Sequence, residues 1–394
     1  MKDVRIFYKK KLNDLKRMDL LRSLKKTDFR QGKTIRYNDK ICLNLSSNDY
    51  LGIATDEKLC SEFYSEMNEE NMINSYGLSS SSSRLLTGNS GLYEELENRL
   101  CRFYNRDAAL IFNSGYHANT GLIPALTEKN DLILSDSLNH ASVVDGIRLS
   151  KAECIIFRHT DIAHLERILE EKRDKYENVL IITEAVFSMD GDCADIKTLV
   201  ELKEKFNAML YVDEAHSVGV YGKNGQGLCC ELKIHDRVDI ILGTMGKALA
   251  SHGAFAITDT FLKEFLINKT RSLLYTTALP PVAVNWNLFV INHMELFSEQ
   301  RKKLCRVSQM FRNALKKQGI SFTGETHIIP VITRSNKKAI KLAHALVDHG
   351  FLVFPIRPPT VAENNSRVRF SLTSDIEYKE IEMIPEIISA CFDG

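Results

Sequence analysis

Two residues of this 394-residue chain have the type and setting that chemistry would use: Asp213 in YVDEAHSVG (211–219) and Lys247 in GTMGKALASHG (243–253). The first stretch spells the Asp-Glu-Ala-His box of nucleic-acid helicases, where one acid holds magnesium and the next polarises a water. That chemistry also needs a phosphate loop of the form Gly-x-x-x-x-Gly-Lys-Ser/Thr. The nearest approach is Gly246-Lys247, but Ala248 follows it and Ile241 stands where the first glycine belongs. It also lies after the acidic box instead of before it. The helicase reading fails on these counts.

What remains is an acid that closes the apolar run AMLYVD (208–213) and a lysine just beyond the run DIILGT (239–244). In open parallel sheets, ligands gather beyond the carboxyl ends of the strands, so the two residues could face one crevice. A lysine among Gly243, Thr244, Gly246 and Ala248 is poorly hydrated, which favours the free amine of Schiff-base chemistry. An acid across the crevice is what a pyridinium nitrogen requires, and pyridoxal 5′-phosphate (PLP) needs both partners. Each residue alone has a plainer reading, since a strand-end Asp is usually a helix cap and a lone Lys is usually solvated. Two further stretches add weight. NSGYHANTG (113–121) follows a strand and opens a helix, whose backbone donors suit a phosphate. His140, in DSLNHAS (136–142), could cover a cofactor ring, although by itself it reads as a core or surface histidine.

The elements that must hold these residues are legible. AALIF (108–112), DLILSD (131–136), CIIF (154–157), NVLIIT (178–183), AMLYVD, DIILGT and GAFAIT (253–258) are short and apolar on both faces. Such runs predict strands buried in a largely parallel sheet, hence an α/β fold. IAHLERILEEKRDKY (162–176) and IKTLVELKEKF (196–206) carry apolar residues at three-to-four spacing and predict crossover helices. After LPP (279–281) the pattern changes to a long helix over 282–310. HIIPVIT (327–333) and FLVFPI (351–356) then read as strands of a smaller α+β unit. The expected organisation is an N-terminal arm (1–52), a large domain (53–290) and a small C-terminal domain (291–394). LSSSSSR (78–84) reads as a tight loop.

Bulk properties exclude other classes. With 52 basic against 51 acidic residues the formal charge is +1, so no nucleic-acid footprint is present and no such partner is expected. Nine cysteines, whose only close pair is the adjacent Cys229 and Cys230, suit neither a disulfide framework nor a metal site. Reduced thiols and a cytoplasmic location are the expectation, with those two cysteines as buried structural thiols and no metal. The basic N-terminal stretch is interrupted by charge too often for a signal peptide. No run approaches the ~18–20 apolar residues of a membrane span.

Several segments together resemble the α-oxoamine synthases: LSSNDYLG (45–52), SSRLLTGN (82–89), FNSGYHANTG (112–121), DSLNHASVVDG (136–146), TEAVFSMDGD (183–192), YVDEAHSVGVYGKNGQG (211–227), LGTMGKALASHGAF (242–255), TTALPP (276–281) and IRPPTVAENNSRVRFSLT (356–373). They follow the family's order over nearly the whole chain. The resemblance implies a fold-type-I, aspartate aminotransferase-like PLP enzyme with a large, mostly parallel sheet flanked by helices and a smaller α+β domain. Such enzymes condense an amino acid with an acyl thioester, carried by CoA or acyl carrier protein, and lose CO2. It also implies roles. Lys247 would carry the Schiff base and act as acid and base at the α-carbon. Asp213 would pair the ring nitrogen, His140 would stack on the ring, and His216 and Ser188 would bond its phenolic oxygen. Gly115 and Tyr116 would offer backbone N–H groups to the phosphate, Thr244 its hydroxyl, and Thr277 a contact across a homodimer. Arg357 would clamp the amino-acid carboxylate, with Asn48 near the substrate.

SSNDYLG and SRLLTGN most resemble members that join L-alanine to a pimeloyl thioester; siblings take glycine with acetyl-CoA or L-serine with palmitoyl-CoA. Two departures stand out. Serines replace a usually glycine-rich loop before Arg84, so any position needing positive φ would be strained there. His252-Gly253-Ala254 replaces an aromatic residue followed by two glycines.

Overall fold

The structure, a computed structural model, describes residues 4–393. The chain divides into two compact units, one of residues 48–188 and 193–302, the other of residues 1–47, 189–192 and 303–394. The last junction, between residues 302 and 303, falls within the helix Ser298–Lys317, while position 290 lies inside the helix Pro281–His293.

The larger unit is built on seven strands. Their order across the sheet is Ala108–Phe112, Ala254–Thr258, Ile240–Thr244, Met209–Asp213, Val179–Glu184, Leu132–Asp136 and Glu153–Phe157. Neighbours from Ile240–Thr244 through Glu153–Phe157 are parallel. Ala254–Thr258 runs antiparallel to both of its neighbours. The reason is chain length: residues 245–253 are too few to hold the crossover that a parallel return needs. That short connection carries Lys247.

Leu110, Ile133, Leu180, Ile182, Ile240 and Leu242 on the sheet pack with Ala118, Leu122, Ile123 and Val143 from the helices Gly115–Leu126 and Ala141–Leu149. These two helices meet closely because Gly146 lacks a side chain. A Cβ there would stand 2.5 Å from the carbonyl oxygen of Asn119, which no side chain tolerates.

The smaller unit holds two sheets. One has the order Thr27–Gln31, Thr34–Tyr37, Lys40–Asn44, Phe351–Leu352; the other, Ile328–Arg334, Ser366–Ser371, Pro355–Ile356. The run FLVFPI is therefore not one strand. Phe351 and Leu352 pair in parallel with Leu43 and Asn44, whereas Pro355 and Ile356 pair antiparallel with Val368 and Arg367. The helix expected over 282–310 is likewise interrupted by a 3-10 turn at Met294–Phe297. Among the described residues no helix is long and apolar enough to cross a membrane.

The serine loop shows the strain its composition implies. Ser81 sits at φ 49°, a left-handed conformation that favours glycine. Its neighbours hold it there: Ser80 Oγ donates to the Leu279 carbonyl at 2.6 Å, and the Ala278 N–H donates to the Ser82 carbonyl at 2.8 Å. Arg84, at the end of the loop, pairs with the buried Glu97 at 2.7 Å and lies over the Tyr93 ring.

Candidate active site

Parallel strands that end together bring their last residues together. Glu184 and Asp213 are register partners on adjacent strands, and Asp213 in turn faces Leu242 on the next. Asp213 is buried, and both its oxygens are held. Oδ1 accepts the Ala215 N–H at 2.9 Å, and Oδ2 accepts the side-chain amide of Asn119 at 2.8 Å. Asn119, fully buried on the helix Gly115–Leu126, also donates to Ser142 Oγ at 2.9 Å and accepts the Tyr211 hydroxyl at 2.7 Å. Every polar atom of this amide is used. Because the Ser142 oxygen takes the Asn119 proton, its own hydroxyl is free to donate to His140 Nδ1, 2.7 Å away. His140 thus presents Nδ1 as an acceptor and carries its proton on Nε2. Burial lowers its pKa, reinforced by Lys247 and opposed by Asp213, so the imidazole is neutral near pH 7.

Asn119→Ala would leave a buried carboxylate oxygen without its amide donor. The expected cost is about 2 kcal/mol, read as a fall in Tm together with weaker retention of a ligand that depends on Asp213. An unchanged Tm would contradict this account of Asn119.

Glu184 is buried beside the Asp213 carboxylate. Burial, then the Asp213 charge, push its pKa up to about 8, against the pull of Lys247 and of backbone N–H groups at His140 and Ser188. Among the described residues its Oε1 has no hydrogen-bond partner. The folded chain therefore holds this proton more tightly than the unfolded chain, whose carboxyl titrates near 4.5. The stability this confers is present below pH 4.5 and is lost as pH rises to about 8. Between about pH 6 and 8 the wild type should lose on the order of 2 kcal/mol more than Glu184→Gln, whose amide does not titrate. Parallel Tm–pH curves for the two proteins would contradict this.

Lys247 follows the strand Ile240–Thr244, in a loop pinned by the Met245 N–H to Gly253 carbonyl bond at 2.9 Å and the Ser251 N–H to Met245 carbonyl bond at 2.9 Å. Gly253, at φ 114°, makes a turn that a side chain would strain. The Lys247 amine lies 2.8 Å from His216 Nε2, and His216 Nδ1 lies 2.7 Å from the Tyr50 hydroxyl. Tyr50 donates in turn to Asn48 Oδ1 at 3.1 Å.

The elements expected to hold a phosphate lie at the same ends of the strands. Ser114 caps the helix Gly115–Leu126. The N–H groups of Gly115 and Tyr116 precede the first intrahelical bond, from the Ala118 N–H to the Ser114 carbonyl at 2.9 Å. A Cβ on Gly115 would touch the Thr244 side chain at 3.9 Å, so that hydroxyl faces the helix start. Thr244 Oγ1 donates to the Gly253 carbonyl at 3.2 Å and accepts the Gly246 N–H at 3.3 Å. Ser188 is buried. Thr277 is exposed, and its carbonyl accepts from Asn113 at 2.7 Å.

The second acid of the tetrapeptide does a different task. Glu214, fully buried, accepts the N–H groups of Leu228 and Cys229 at 2.9 and 2.6 Å and the Ser217 hydroxyl at 2.6 Å. It ties down the loop after the strand. Cys229 is buried, but Cys230 is only partly so, which corrects the expectation of two buried thiols. Burial raises both, Cys229 far above the usual thiol range and Cys230 up to about 12, so both remain protonated.

Arg357 belongs to the smaller unit. Its guanidinium donates to the carbonyls of Asp19 and of Leu21, the latter at 3.4 Å, and its buried Nε has no partner among the described residues. Arg22 fastens the same loop through the carbonyls of Arg357 and Pro358 and the hydroxyl of Thr360, at 3.2, 3.3 and 3.0 Å. Burial and the nearby Arg22 charge both lower the Arg357 pKa. Both guanidiniums border a cavity of about 660 Å³ within that unit.

Residues 40–387 match the model of the aminotransferase class I and II family. The chain is 45% identical over 363 residues to the 8-amino-7-oxononanoate synthase of Chlorobaculum parvum, covering 92% of this chain and 93% of that one. The chain belongs to this family. A second 8-amino-7-oxononanoate synthase, from Haemophilus ducreyi, is 42% identical over 95% of this chain and 98% of its own. Among solved structures, the serine palmitoyltransferase of S. paucimobilis with a bound PLP–myriocin aldimine superposes with TM-score 0.88 at 26% identity, covering 99% and 97% of the two chains. The 8-amino-7-oxononanoate synthase of Francisella tularensis gives TM-score 0.77 at 28% identity, covering 89% and 98%. The chain is thus a fold-type-I enzyme of the α-oxoamine synthase group, and its cofactor is PLP. The family's residues fit that cofactor here: a buried carboxylate with both oxygens held, a capped helix start facing a hydroxyl, and a lysine amine in the connection after a sheet strand.

Asn119, Tyr50, Tyr211 and Glu184 are missing from the sequence-level site, although three of them lie inside segments quoted for the resemblance and Tyr211 opens a fourth. A neutral amide or phenol carries no signature of its own in sequence. The signal available for Asn119 was its place one helical turn beyond Gly115, on the turn that faces the sheet.

Proposed function

We propose that this enzyme joins L-alanine to a pimeloyl thioester, releasing the thiol and CO2 and forming 8-amino-7-oxononanoate. The observation that carries the reading is the amine of Lys247 held against His216 beside the strand that ends in Asp213. Bound PLP supplies an electron sink for the pair left at the amino-acid α-carbon. Lys247 holds the cofactor, takes the α-proton and returns a proton to the product. Asp213 keeps the ring nitrogen protonated, and Asn119 keeps Asp213 in place. His140 covers the ring in its neutral form, and His216 and Ser188 bond the phenolic oxygen. Gly115, Tyr116 and Thr244 hold the phosphate, joined by Thr277 in a homodimer. Arg357 takes the substrate carboxylate through donors that include Nε, with Asn48 beside the substrate. The acyl C–S bond breaks as the new C–C bond forms, and loss of CO2 from the resulting β-keto acid leaves the amino ketone.

Shape alone favours the serine palmitoyltransferase sibling, by 0.88 to 0.77 in TM-score. Shape is common to the whole group, however, whereas the identity is 45% to an 8-amino-7-oxononanoate synthase over 92% of this chain and 26% to the serine palmitoyltransferase. The alanine reading therefore stands first. Thiol release by the PLP-loaded protein tests it, with L-alanine and pimeloyl-CoA run beside glycine with acetyl-CoA and L-serine with palmitoyl-CoA. Release with the first pair alone is expected, and release confined to another pair would overturn the substrate. Pimeloyl carrier protein in place of CoA identifies the carrier. A cytoplasmic homodimer is the proposed working form.

A further inference from the structure

The loop that carries Lys247 contains a strained turn that is gripped from outside. The Ala250 N–H donates to the Lys247 carbonyl at 2.9 Å, closing a turn on the lysine's own backbone. Ala250 sits at φ 50°, a left-handed conformation that is unfavourable for alanine and easy for glycine. Such a residue keeps its conformation only where its surroundings hold it. Two adjacent side chains of the helix Pro281–His293 supply that hold. The Trp286 indole N–H donates to the Ala250 carbonyl at 3.3 Å, and the Asn287 side-chain amide donates to the His252 carbonyl at 3.0 Å. Packing fixes both donors: Trp286 meets Phe63 edge-on at 5.0 Å between ring centroids and stacks on Phe289 at 5.7 Å, while Asn287 is fully buried.

We propose that Trp286 and Asn287 are positioning residues for Lys247: by holding the carbonyls of Ala250 and His252, they keep the strained turn closed and fix the backbone that carries the cofactor-binding amine. With either bond gone, Ala250 relaxes toward the right-handed conformations that alanine prefers. A hydrogen bond of ordinary strength makes such opening about fivefold rarer. The bonds from the Met245 N–H to the Gly253 carbonyl and from the Ser251 N–H to the Met245 carbonyl remain, so the loop loosens without unfolding. The role rests on reading Lys247 as the residue that carries PLP. Its test uses no substrate, so it can fail while the proposed reaction stands; borohydride fixing PLP to another lysine would overturn both.

The test is the rate at which PLP leaves the loaded full-length protein, measured well below Tm. Trp286→Phe keeps an aromatic ring against Phe63 and Phe289 and removes the N–H; Asn287→Ala removes the second donor. Each should release PLP about fivefold faster than the wild type. Ala250→Gly then separates the grip from general stability, because glycine adopts the left-handed turn without being held. In that background, adding Trp286→Phe should change the release rate less than twofold. If Asn287→Ala does not fold, Trp286→Phe and its combination with Ala250→Gly decide the matter. A pair that only stabilised the fold would lower Tm and leave release at the wild-type rate. That outcome in either folded variant, or the same fivefold effect of Trp286→Phe with glycine at 250, would overturn the proposal.

Discussion

Lys247→Ala is expected to lower thiol release about 10⁴-fold, because it removes in one step the amine that holds the cofactor and the group that moves the α-proton. The fold should survive. The loop is held by backbone bonds between Met245, Ser251 and Gly253, not by the lysine side chain. A wild-type Tm beside an abolished rate separates loss of chemistry from loss of structure. A variant that kept a tenth of the activity would show that another base takes the proton.

Asp213→Asn should come second, lowering kcat about 10²- to 10³-fold with a smaller change in KM. The amide is nearly the same shape, so the contact with Asn119 changes little in geometry but loses its charge. A charge-assisted bond in a buried site is worth roughly 3 kcal/mol more than a neutral one left mismatched. What disappears is the anion that would keep a ring nitrogen protonated. Single-turnover measurement of proton loss from α-deuterated L-alanine reads that step, and an unchanged rate would detach Asp213 from the chemistry.

How far the sequence spoke differs between parts of the molecule. The central strands were legible because each is apolar on both faces, and all seven runs read as strands are strands in the structure. Asp213 and Lys247 stood out because each follows such a run and carries a titratable group. Asn119, Tyr50 and Glu184 did not, since their importance comes from partners brought near by folding: Asp213 for Asn119, His216 for Tyr50, the neighbouring strand for Glu184. The fate of FLVFPI was hidden for a related reason. Its halves pair with Leu43–Asn44 and with Arg367–Val368, and no local pattern encodes those distant partners. The same long-range pairing places residues 1–47 in one unit with the C-terminal region.

The most direct test of the account is borohydride reduction of the PLP-loaded protein followed by peptide mapping, because reduction fixes the cofactor to whichever amine carries it. A single pyridoxyl adduct is expected, on Lys247 within GTMGKALASHG. An adduct on a different lysine, or none at all in protein that binds PLP, would contradict it.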